Sequence, residues 1–82
     1  MEFTSNEELY EAIRDLINIL SDSGAEQLSS KLQGALRVSN VTGEVLEEIR
    51  FALRCVREHE LFKRPEVRRI VLDGIASIDK VL

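Results

Sequence analysis

The stretch from Glu44 to Phe62, EVLEEIRFALRCVREHELF, holds neither Gly nor Pro and is built mostly of strong helix formers. At about 3.6 residues per turn, Val45, Leu46, Ile49, Ala52, Leu53 and Val56 fall on one side. Phe51, Cys55 and Phe62 fall on roughly the opposite side, with His59 at their edge. A helix that is apolar on two sides is either central in its own domain or docks on a second partner. The chain is thereby bound to a helical arrangement in which the middle helix is covered from two directions.

The flanking segments carry the same period. Ser5 with Glu8, or Thr4 with Glu7, has the capping-box spacing, and Leu9, Ile13, Leu16, Ile17 and Leu20 follow as one stripe. Tyr10 borders that stripe and Ile19 lies off it. The first helix is predicted over 6–21. Asp22-Ser23-Gly24 breaks it, and Ser23 with Glu26 offers a second capping box for a helix over 24–36. Leu28, Leu32, Ala35 and Leu36 form its apolar side, with Gly34 facing solvent.

Arg37 to Gly43 has no helical period and reads as a loop, with Thr42 as cap of a third helix over 43–61. Arg64-Pro65 marks the last boundary, because proline disfavours helix before it and suits the first helical position. A fourth helix over 65–82 then presents Val67, Ile70, Val71, Gly74, Ile75, Ile78, Val81 and Leu82 as one stripe. Gly74 in mid-stripe implies the close approach of a neighbouring backbone. The fold class is therefore all-α: a small up-down-like bundle of four helices packed around the third, in a single domain spanning 1–82.

Fifteen acids against eleven bases give a net charge of -4, which disfavours nonspecific binding to nucleic acid or anionic lipid. Residues 1–41 hold seven acids and three bases, whereas 42–82 hold eight of each. A single cysteine makes no internal disulfide, the opening MEFTSNEELY is not a secretory leader, and the apolar runs are too interrupted to span a membrane. The expected location is the cytoplasm.

Cys55 and His59, four apart, share a helical side with Glu48. Two good ligands and a carboxylate fall short of a four-ligand structural zinc site, so neither metal nor other cofactor is expected. As nucleophile and base the pair lacks an orienting third group and oxyanion donors, and Cys55 lies mid-helix where amides are already used. No enzyme is expected. Residues 25–54 approximate a helix-turn-helix, but Glu44, Glu47 and Glu48 stand where phosphates would dock.

Two groups of residues are candidates for binding. Phe51, Cys55 and Phe62, with Arg50, Arg54 and Arg57 nearby, have the aromatic-plus-arginine composition of protein-interface hot spots. The two phenylalanines are covered either inside the protomer, by the first helix or Phe3, or by a second chain. Lys63, Arg64, Arg68 and Arg69 form a basic cluster beside Phe62 that would suit a nucleic-acid-binding regulator. The plainer account of that cluster is capping of the third helix's negative end.

In size, acidity and helical class the chain resembles small bacterial helical proteins that act by binding, such as immunity proteins and antitoxins that block a partner. That resemblance rests on no motif and carries no residue role. The expected function is a non-enzymatic protein-protein interaction module acting on another protein or on itself as a homodimer.

Overall fold

The computed structural model describes Phe3 and residues 5–82. Four α-helices, α1 (Asn6–Asp22), α2 (Glu26–Ala35), α3 (Thr42–Arg57) and α4 (Pro65–Val81), form an all-α bundle, with a one-turn 3₁₀ helix at Glu60–Lys63 between the last two. α1 packs on α2, α2 on α3 and α3 on α4, and α4 returns to α1 to close the ring. Side-chain pairings show that each neighbour runs antiparallel to the last. Ser29 reaches back to Ile17, the start of α2 faces the end of α3 at Cys55, Arg50 pairs with Asp79, and Arg64 reaches Ser23. Among the described residues, no helix is long and apolar enough to cross a membrane.

The apolar stripes form the core. Leu9, Ile13, Leu16 and Leu20 of α1 are buried, as are all six residues assigned to the inner side of α3 and Val67, Ile70, Val71 and Ile78 of α4. Burying each such aliphatic side chain is worth about 1.5–3 kcal/mol, which is what a chain this short relies on. The α2 face is rotated from its expected line: Ser29 is buried with Leu32 and Ala35, while Leu28 and Leu36 are only half-buried. The Ser29 hydroxyl donates to the Ile17 carbonyl oxygen at 3.2 Å and accepts from Gln33 Nε2 at 3.2 Å, so the buried polar group is satisfied.

Gly74 is buried, and the close approach expected there is real but comes from a side chain. A β-carbon on Gly74 would lie 2.9 Å from Leu53 Cδ1 and 3.6 Å from Leu9 Cδ1. Gly34, by contrast, faces open space. The α4 stripe ends earlier than its period suggests. Val81 and Leu82 stay exposed.

Three helix ends differ from expectation. Ser5 caps α1 as predicted, accepting from the Glu8 amide at 3.2 Å; the Thr4 alternative lies outside the described residues. The Ser23–Glu26 box does not form. Ser23 instead closes α1, and α2 starts from Ala25 with no side-chain cap. Thr42 is already helical, so Val41 occupies the cap position of α3, and it too lacks a capping side chain.

The third correction bears most on function. α3 stops at Arg57 rather than continuing to Leu61. Arg64, before the proline, is extended at φ -70, ψ 131, which ends any helix at that point but does not itself interrupt residues 58–61. The turn at Glu58–His59 swings Leu61 and Phe62 inward, where both pack half-buried against the core. His59 Nδ1 accepts from the Leu61 amide at 3.1 Å, supplying a hydrogen bond that the interrupted helix no longer makes.

Candidate functional site

The break after Arg57 divides the expected Phe51–Cys55–Phe62 stripe. Phe62 belongs to the 3₁₀ turn, rests against the core, and has the Arg68 guanidinium 5.6 Å from its ring centroid. Phe51 stays in mid-α3 and is 57% exposed, an unusual state for a phenylalanine on a well-packed helix. Its own turn offers Glu47 and Glu48 before it and Arg54 and Cys55 after it. Across the α2–α3 seam, Lys31 Nζ lies 5.5 Å from the Phe51 ring centroid, a contact worth about 0.5–1 kcal/mol at an exposed site.

The arginines part company. Arg50 turns to the opposite flank and donates to Asp79 Oδ1 at 2.6 Å, tying α3 to α4. Arg54 and Arg57 are exposed in the last turn of α3, where their charge suits the negative helix end. The capping role expected of the Lys63–Arg69 cluster therefore falls to these two.

The cluster itself stands at the start of α4. Arg64 precedes the helix, and its Nη1 donates to Ser23 Oγ at 2.9 Å. The last turn of α1 contains no basic residue, so Arg64 brings a cation to that helix's negative end from across the bundle. Arg68 lies over Phe62. Lys63 and Arg69 are exposed. Two of these four cations are thus engaged within the fold.

Cys55 and His59 do face a common space, though not along one helix as expected. Both line an open groove of about 730 Å³ whose other wall is the start of α2, from Gly24 to Leu28, with Lys31. Cys55 is a half-buried free thiol. Among the described residues, no three His, Cys, Asp or Glu side chains gather closely enough to hold a metal ion. A second open cleft, of about 930 Å³, lies between the start of α1 and the end of α4, with Leu9, Leu46 and Leu72 in its walls. Sequence periodicity could not reveal either space, because each is made by residues from different helices.

As a DNA-reading helix-turn-helix the α2–α3 pair is unsuited by charge, because Glu44, Glu47 and Glu48 are exposed on the would-be reading helix where phosphates would dock. Comparison with protein-family models, with curated proteins and with solved structures returns no match.

Proposed function

We propose that the chain is a cytoplasmic, non-enzymatic protein-binding module whose contact face is the outer side of α3 together with the adjoining edge of α2. The observation that carries this reading is Phe51. It is a large aromatic, 57% exposed, in the middle of a helix whose opposite side is fully packed. Burying it would contribute about 1.5–3 kcal/mol, which the isolated protomer forgoes. Arg54 and Lys31 border it, and an aromatic ringed by cations and polar groups has the anatomy of an interface hot spot. Half-buried Cys55 extends the same face by one turn.

The test compares the native chain with Phe51→Asp. Circular dichroism should show the same helical content, because the substituted ring lies outside the core. Each chain is then used as bait in an extract of the source cells, with bound proteins quantified by mass spectrometry and self-association measured in parallel. The reading requires a species, either another protein or a second copy, that the native chain binds and Phe51→Asp does not. Identical binding by the two folded chains would refute it.

A further inference from the structure

The charges around Phe51 are ordered along α3, and the order is self-complementary in one orientation only. One turn before Phe51 stand the exposed acids Glu47 and Glu48; one turn after it stands the exposed base Arg54. Resting on the binding role proposed for this face, we infer that its occupant is a second copy of the chain. The two copies pack α3 against α3 antiparallel, with a two-fold axis passing beside Phe51.

That axis brings the two Phe51 rings together and, because it joins like flanks of the two helices, sets Glu47 of each copy opposite Arg54 of the other. Each ion pair therefore occurs twice, as a symmetric interface requires. A parallel alignment would set acid on acid and base on base, so charge selects the antiparallel register. Glu44 meets Glu58 in the chosen register, but both are exposed and lie at the rim, where water and salt screen like charges. Lys31, already over the Phe51 ring on the α2 flank, adds positive charge close to the partner's Glu48; the two Lys31 ammonium groups also approach the axis but are exposed, where water and salt screen them.

A stable interface takes about 600–1,000 Å² from each side, a tenth to a fifth of the 5209 Å² this chain exposes.

The experiment is a charge swap read by sedimentation velocity over a concentration series. Glu47→Arg and Arg54→Glu should each weaken the native dimer about tenfold or more, since either change sets two like-charge pairs across the axis. The double variant should recover it. An equimolar mixture of the two single variants should form a heterodimer, because every pair across the axis would then join opposite charges. Both positions are exposed, and circular dichroism checks that each variant keeps its fold. A native chain that stays monomeric up to about 1 mM overturns the inference. So does a dimer indifferent to both swaps. If the chain is monomeric while Phe51→Asp still loses a different protein from the extract, the binding role stands and only the identity of the occupant fails.

Discussion

Gly74 and Leu53 fit together as gap and filler: Leu53 Cδ1 sits 2.9 Å from where a β-carbon on Gly74 would be. Both residues are buried at the α3–α4 seam, and Leu9 of α1 closes the same spot. The helix gives up about 1 kcal/mol of propensity at Gly74 relative to alanine, and in return three helices meet without a void.

Gly74→Leu is therefore expected to destabilise by about 1–3 kcal/mol or more, since the added atoms overlap Leu53. Gly34→Leu, in open space on α2, should be neutral or raise stability by up to about 1 kcal/mol. Melting temperatures of the two variants should differ by about 10 °C or more in a domain of this size. Equal melting temperatures would show that the seam relaxes freely.

A cap is missing at the start of α3. Val41 has the extended geometry of a cap residue, at φ -93, ψ 119, and is 56% exposed, so replacing it sacrifices little burial. Val41→Ser should place a hydroxyl oxygen within reach of the Gly43 or Glu44 amide and stabilise the fold by about 0.5–2 kcal/mol. Urea denaturation midpoints measure this; a lower midpoint would contradict the assignment of the cap position.

Arg64 and Ser23 hold the end of α1 to the start of α4 across 41 residues of sequence. A double-mutant cycle with Arg64→Ala and Ser23→Ala should give a coupling of about 0.5–1 kcal/mol, modest because the pair is exposed. Strictly additive effects would mean that the contact is not maintained in solution.

The inner stripes were legible because period alone decides which residues share a side, and Leu9, Ile13, Ile49, Leu53, Val67 and Ile78 are all buried where that period puts them. Ser29 is not legible as core, because a serine among leucines reads as polar surface. Only its geometry shows a hydroxyl that reaches the Ile17 carbonyl. The end of α3 was illegible for a different reason: Glu58 to Phe62 contains no local helix breaker. The break goes with the burial of Leu61 and Phe62 against the core, a tertiary contact that leaves no local mark in the sequence. The candidate face was half legible. Phe51 and Arg54 lie on the outer surface as their period implies, while Arg50 and Phe62 are drawn off by partners on other elements, Asp79 and the Arg68 side chain.

The two-fold arrangement also predicts where a covalent link can form. In that arrangement Glu48 of one copy would share a flank and a level with Cys55 of the other, so Glu48→Cys should yield a disulfide-linked dimer under mild oxidation. In the native chain the two Cys55 residues lie about 12 Å apart along the helices, beyond disulfide reach. A non-reducing gel distinguishes the two chains. Cross-linking of Glu48→Cys no faster than that of the native protein would exclude this register.

Dependence of the melting temperature on protein concentration tests most directly whether Phe51 stands outside the core and is covered by association. Across about 1 µM to about 500 µM the native chain should melt at progressively higher temperature, because association stabilises the folded state by mass action. Phe51→Asp should melt at one temperature throughout, equal to the native value at the dilute limit. A native chain whose melting temperature does not change with concentration would contradict the two-fold association, and a Phe51→Asp chain that melts well below the native dilute limit would contradict the placing of Phe51 outside the core.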